Sequence, residues 1–267
     1  MRKWIVMILF SSASSFAGST PYATGGDVTT NGEYFLHSFT NSGATSFISH
    51  ATIQCEYLIR GGGGGGAAGL DGIRYSGGGG GGESSTGTTL VVVGSNDIVV
   101  GTGGVGRASY TGGPGWNGGY SAAFGITALG GFGAPGTTNG GTSPGGAAQT
   151  NAGAGGEGAA DGGDGGNGTT SWVGGVSFVG SGGGGGSRDG VGKDGGGNGG
   201  CYSPPSVATS GTPNTGGGGG GGDPVGESYG GSGAEGLVVV AYKAPLASSK
   251  PISAYRTVHN LITGSRQ

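Results

Sequence analysis

Three histidines, His37, His50 and His259, are the only imidazoles in the 267 residues. They lie apart, and none has a second ligand at the spacing a metal centre needs, so neither a metal nor a cofactor is expected. Strings of the form G-x-G-x-x-G recur because 77 residues are glycine. None follows a strand, opens a helix and is succeeded by the acidic residue that grips a ribose, so dinucleotide binding is not expected. GVGKDG (190–195) comes nearest to a phosphate loop. It fails because Ser187 stands where the first glycine should be, and because Asp194, not Ser or Thr, follows Lys193. No Ser-His-Asp or Cys-His arrangement can be read, and the chain is expected not to be an enzyme.

Two other groups of residues could bind rather than react. Asp161, Asp164 and Asn167 recur at every third position. On a three-residue helix they would project from one edge, where a row of oxygens suits Ca²⁺. A solvated rod face accounts for the same spacing, and that is the reading adopted. The aromatics carry the stronger signal. RASYTGGPGWNGGYSAAFG (107–125) sets Tyr110, Trp116 and Tyr120 among glycines, and Tyr202 opens a further loop. Tyr and Trp give contact area at small entropic cost, so rings on short loops of a rigid scaffold suit recognition. Trp172 and Phe178 suit a small capping core equally well. Arg188 and Lys193, the only cations among the later glycine segments, form a second candidate surface.

Such loops need a scaffold, and the sequence offers two kinds of element. Residues 27–60 read as three or four short strands, because EYFLHSFT and TIQCEYLIR alternate apolar and polar positions. TTLVVVG (88–94) and DIVVGTG (97–103) read as a strand pair joined through Ser95-Asn96, and GLVVVAYK (236–243) as a last strand. These define an all-β fold: a small β-sandwich formed by 25–60, 88–103 and 236–243, with glycine-rich insertions at 61–87 and 104–235.

Uninterrupted glycine runs fill 61–66, 77–82, 182–186 and 216–222. They break the strict triplet of collagen. A linker would not carry the aromatics found here. Ordering a glycine costs more backbone entropy than ordering any other residue. The runs therefore make sense where the missing side chain is itself required. Polyproline II has three residues per turn and no internal hydrogen bonds. Several such rods side by side can pair N–H with C=O where no Cβ intervenes. The insertion is expected to be a packed lattice of polyproline II (polyglycine II) helices, with loops at the rod ends.

Arg2 and Lys3, then WIVMILF, then SFA ending at Ala17 form the pattern of a secretory signal peptide. Residues 1–17 are expected to be a signal peptide or, if retained, a docking arm. Cys55 and Cys201 are a disulfide candidate if the compartment is oxidising, and two buried thiols otherwise. All 14 acids lie between Ala23 and Tyr242, opposed there only by Arg60, Arg74, Arg107, Arg188 and Lys193. That balance argues against nucleic acid as a partner. Residues 244–267 form a basic tail.

TTNGEYFLHSFTNSG, EYLIRGGGGGG, GGYSAAFG (118–125), GGGGGGGD (216–223) and GSGAEGLVVVAYK follow one another in an order that resembles a glycine-rich domain frequent in phage tail-fibre proteins and bacterial secreted proteins. The lattice also resembles that of the receptor-recognising adhesins at the tips of T-even-type tail fibres. The resemblance implies a non-enzymatic adhesin that presents loops to a cell-surface receptor, glycan or protein. It would stand at a virion tip or a cell exterior. The second reading is a structural component, a secreted matrix, fibre or virion decoration protein, that assembles with other subunits through its β region or termini.

Overall fold

The computed structural model describes residues 21–69, 75–107, 113–136, 145–159, 161–201, 206–223 and 229–243. Residues 1–17, the basic tail, Tyr110 and Tyr202 lie outside the described residues. Twelve strands and no helix make up the regular structure described. The strands are β1 (Ala23–Thr24), β2 (Asp27–Asn31), β3 (Tyr34–Phe39), β4 (Gly43–Ser49), β5 (Ile53–Arg60), β6 (Ser84–Val91), β7 (Gly94–Val100), β8 (Ser121–Ala123), β9 (Ile126–Ala128), β10 (Thr169–Val173), β11 (Val176–Gly180) and β12 (Leu237–Lys243).

One sheet has the order β1-β4-β7-β8-β9 and a second the order β2-β3-β12-β5-β6, and β10 and β11 form a separate hairpin. The two larger sheets pack face to face over Phe35, Phe47, Tyr57, Ile98, Val240 and Tyr242. The hairpin covers the outer face of the second sheet, where Leu36, Leu58, Val239, Ala241 and Val173 form another apolar cluster. This explains the unbroken apolar run in β12. Val238, Val240 and Tyr242 face one core, while Leu237, Val239 and Ala241 face the other.

The strands account for several departures from expectation. β6 and β7 are not a hairpin. β6 pairs with β5 in one sheet and β7 with β4 in the other, so Val92-Val93 is a crossover and Ser95-Asn96 lies inside β7. The sandwich also recruits two hairpins from within the expected insertion, at 121–128 and 169–180. Both turn on residues with positive φ: Phe124 and Gly125 in the first, Gly174 and Gly175 in the second. A two-residue type I′ turn requires positive φ at both positions. Cys55 and Cys201 are not joined to one another. Cys55 faces the core between the sheets, where burial pushes its thiol up to about 12. Cys201 instead pairs its backbone with Ser206 in the glycine-rich region.

Between the strands run the glycine segments, and their hydrogen bonds follow one rule. In the 61–68 rod, the amides of Gly61, Gly64 and Ala67 donate to Glu83, Gly80 and Gly77. Those of Gly62, Gly65 and Ala68 donate to Gly119, Trp116 and Gly113, and those of Gly63 and Gly66 to Ala234 and Gly231. The donor direction returns to the same neighbour every third residue, which is the period of polyproline II. All three receiving rods run antiparallel to the donor.

The carbonyls of the same rod accept from three others. Gly104 and Arg107 donate to Gly63 and Gly66, Gly131 and Ala134 to Gly62 and Gly65, and Gly219 and Gly222 to Gly64 and Ala67. These rods run parallel to it. The 61–68 rod is thus enclosed on every side by backbone. A Cβ on Gly63 would overlap the Gly217 carbonyl, and one on Gly64 the Phe132 carbonyl. Segments 77–82, 182–186 and 216–222 likewise donate to, and accept from, rods around them. The four uninterrupted glycine runs are the interior rods. Elsewhere, side chains are admitted where a rod faces outward.

Sandwich and lattice lie end to end. Arg60, Val100, Ala128 and Gly180 end strands that lead directly into rods, and Ser84, Ser121, Thr169 and Leu237 begin strands that receive them. At this boundary the fully buried Arg60 donates from its guanidinium to the Phe178 carbonyl (2.9 Å), the Thr169 carbonyl (3.4 Å) and Ser84 Oγ (3.3 Å). It fastens the base of the β10–β11 hairpin to the sheet. Burial lowers its pKa to about 10, so the cation persists at neutral pH.

Candidate functional site

The recognition residues expected from sequence divide into two groups. Trp116 and Tyr120 are 64% and 54% exposed. Trp116 does not sit on a loop: it belongs to the 113–119 rod. Its amide donates to the Val105 carbonyl at 3.0 Å, and its carbonyl accepts from the Gly65 amide at 2.8 Å. The backbone beneath the ring is therefore fixed from two sides, while the indole projects outward. Tyr120 stands where that rod becomes β8. On the neighbouring rods 101–107 and 129–134, Val105, Leu129 and Phe132 are also exposed.

These three rods are joined in register. Gly119 donates to Thr102, Gly118 to Gly131 and Gly115 to Ala134. Asn117 Oδ1 accepts from the Gly133 amide at 2.9 Å. The result is an apolar and aromatic face on a rigid backbone. Sequence reading singled out Trp116 and Tyr120, which are exposed, and passed over Val105, Leu129 and Phe132, which are exposed beside them. For Val105 and Phe132 the signal was present: each is a large residue between two glycines, and such a position can be tolerated only where the lattice ends, whereas Leu129 directly follows β9.

Arg188 and Lys193 are placed differently. Arg188 Nε lies 4.0 Å from Asp223 Oδ2, and its guanidinium sits over the Tyr75 ring, 4.9 Å from the centroid. Lys193 pairs with Asp164 at 3.1 Å. Asp164 also accepts from the Val191 amide at 2.9 Å, and this bond, together with Lys193, holds its carboxyl below the usual range. Both cations brace the lattice. Asp164 binds the chain itself rather than joining Asp161 and Asn167 in a cation row. Among the described residues no cluster of His, Cys, Asp or Glu has metal-binding geometry.

Trp172 and Phe178, the candidates for a capping core, separate by strand parity. Phe178 packs against the cluster on the outer sheet face, whereas Trp172, paired in register with Ser177, points outward and is 68% exposed. A cavity on that same sheet is lined by Tyr34, Gln54, Glu56, Thr88 and Lys243. Its charged groups already have partners. Glu56 accepts from Tyr34 Oη (2.9 Å) and from the Gly174 amide (2.8 Å), and Lys243 pairs with Glu33 at 3.2 Å. Glu56 thus ties hairpin to sheet at the cavity, which the buried, free Cys55 also lines.

The family model described as a glycine-rich domain matches residues 39–243 of this chain. The match takes in the lattice and the sandwich from the last residue of β3 onward. No curated protein matches the sequence.

Proposed function

The chain belongs to the glycine-rich domain family, and from that premise we propose that it is a non-enzymatic receptor-binding protein or adhesin. Its lattice would present the Trp116 face to a cell surface, from a virion tip, as in the tail-fibre adhesins it resembles, or from a cell exterior. The observation that carries this reading is the presentation of Trp116. Its ring is exposed, while its backbone is bonded to the rods on either side. A large ring held without loop entropy loses little freedom on binding, which is the condition for an energetic anchor. Arg188 and Lys193 pair with Asp223 and Asp164 while their side chains stay 40% and 37% exposed, and they stand as a second candidate contact surface.

A second reading, assembly through the β region, is favoured by the pole opposite the lattice. The first described residues lie there, since Tyr22 accepts from the His50 amide, and β12 ends at the same pole with Lys243 opposite Tyr34. Exposed Leu90, Val92 and Val93 stand beside them. The two readings are compatible, with one pole attached and the other presented.

The test is attachment of the labelled full chain to a panel of intact cells, run beside Trp116→Ala, Tyr120→Ala and a triple change of Leu90, Val92 and Val93 to Ser. Saturable attachment that falls at least tenfold in the two ring variants, and is kept in the triple variant, supports receptor binding. Attachment to no cell type, with the triple variant failing to co-assemble, supports the structural reading instead.

A further inference from the structure

We propose that the face built from rods 101–107, 113–119 and 129–134 recognises a neutral carbohydrate. The proposal rests on the receptor-binding reading and specifies its ligand class. Three observations point to it.

The first is charge. Between Gly113 and Gly136 the sequence contains no Asp, Glu, Lys, Arg or His, and the 101–107 rod carries one charged residue, Arg107, at its end, with its guanidinium beside Gly113. Glu83, at the margin, is engaged by the Leu129 amide at 2.9 Å. The described acids of the lattice, Glu157, Asp161, Asp164, Asp189, Asp194, Asp223 and Glu235, stand on other rods. With one half-buried cation at its end and no carboxylate on its three rods, the face offers little to draw an ionic ligand out of water, and a charged ligand would lose much of its hydration there without compensation.

The second is the alternation of apolar groups with open peptide groups. Val105, Trp116 and Phe132 are outward-facing. Among the described residues the amides of Val105, Asn117 and Phe132 donate to no protein group, although neighbouring amides on the same rods are bonded. A lipid or an apolar peptide laid on this face would cover the rings and strand those donors. A sugar has C–H faces that stack on rings and hydroxyls that accept from amides. It matches both characters at once.

The third is rigidity. Along a polyproline II rod, side chains three residues apart are about 9 Å apart and on the same side. Leu129 and Phe132 have that spacing. Hydrogen bonds from Gly118 and Gly115 fix their rod against that of Trp116. The spacing of the apolar points is set by backbone, so an extended saccharide meets a preformed ladder.

The experiment titrates the full chain with maltoheptaose, cellohexaose and chitohexaose as neutral probes, polygalacturonate as an acidic one, and phosphatidylcholine vesicles. Saturation-transfer NMR and tryptophan fluorescence report binding. The expected result is saturable binding of at least one neutral oligosaccharide, unchanged in concentrated NaCl. It should weaken at least tenfold in Trp116→Ala and Phe132→Ala and be largely retained in Trp116→Phe, which keeps a ring. Trp172→Ala, whose indole emerges from the separate hairpin, should bind as the parent does.

Binding of polygalacturonate alone, of vesicles alone or of no probe overturns the inference, as does equal loss in Trp172→Ala. So does a concentration-dependent dimer that Trp116→Ala abolishes, since a second copy would then cover the face. Cell attachment that survives periodate oxidation of surface sugars but not protease would overturn the carbohydrate and leave receptor binding standing. Attachment to no cell surface would remove receptor binding itself.

Discussion

The amide of Gly65 donates to the carbonyl of Trp116 at 2.8 Å. One partner belongs to a six-glycine run enclosed on every side, and the other carries one of the most exposed rings among the described residues. This bond joins the two properties that matter here, an interior that excludes side chains and a surface that displays them. A ring on a flexible loop would lose freedom on binding, whereas a ring on this backbone has already lost it during folding.

Interior glycines should tolerate no Cβ. Gly63→Val and Gly219→Val would drive a methine carbon into the carbonyls of Gly217 and Gly231. Overpacking a core typically costs about 1–3 kcal/mol, and a hydrogen-bonded backbone carbonyl cannot rotate aside as a side chain can. A loss of about 3 kcal/mol or more is expected, measured by chemical denaturation, with Gly119→Ala milder because its Cβ would first meet Thr102 N at 3.0 Å. Unchanged midpoints in both valine variants would mean that the runs are loose surface segments.

The exposed rings should matter for attachment and not for stability. Truncation of a binding anchor typically costs about 2 kcal/mol or more, while surface changes usually stay within about 0.5 kcal/mol of neutral. Trp116→Ala and Tyr120→Ala should therefore melt like the parent and attach at least tenfold more weakly. If either unfolds the chain, its ring is core, and the structural reading gains.

Arg60 should act as the clamp of the β10–β11 hairpin. Arg60→Ala leaves the Phe178 and Thr169 carbonyls without their donor in a buried site, at about 1–3 kcal/mol beyond the loss of packing. Amide exchange in β10 and β11 should accelerate more than in β3 or β4. Lysine should restore little, since a point charge cannot reproduce the fork that reaches two carbonyls and Ser84 together. Uniform acceleration throughout the sandwich would contradict a local clamp.

Stability should fall on mild acidification. His37 is fully buried, with Nδ1 2.7 Å from the Gly25 carbonyl oxygen and Nε2 3.3 Å from Tyr242 Oη. Burial lowers its pKa, outweighing the opposite effect of Gly25. A depressed folded-state pKa means that the unfolded chain binds the proton first. The stabilisation is complete above the ordinary histidine pKa of about 6.5 and is lost as pH falls below it toward the folded value. Denaturation midpoints between neutral pH and pH about 5 should show this decline, and His37→Gln should flatten it. An undiminished slope in that variant would assign the decline to the carboxylates.

Much of this organisation was legible in the sequence. The runs at 61–66, 77–82, 182–186 and 216–222 mark the interior rods because only glycine survives a neighbour on every side. The alternation in residues 34–60 and the apolar run of β12 marked the sandwich. The β6–β7 crossover was not legible. Local alternation shows that two strands exist, but not which sheet each joins. The β10–β11 hairpin did carry a signal, Gly174-Gly175 between alternating residues, and was obscured by the surrounding glycine. The β8–β9 hairpin was harder to see, since alanines supply its inward positions and a phenylalanine takes the positive φ. The outward face built by Val105, Leu129 and Phe132 depends on which rods lie outermost, and that is fixed only by long-range packing.

The most direct measurement is glycine-resolved amide hydrogen exchange on the native chain. If the runs are interior rods, Gly62–Gly66, Gly79–Gly82, Gly183–Gly186 and Gly218–Gly221 should exchange as slowly as β12 and open only with global unfolding, because each amide is bonded to a neighbouring rod. The outward amides of Asn117 and Phe132 should exchange fast within the same segments as their protected neighbours. Exchange of the glycine runs at the rate of an unfolded chain, while β12 stays protected, would contradict the lattice and with it the fixed presentation of Trp116.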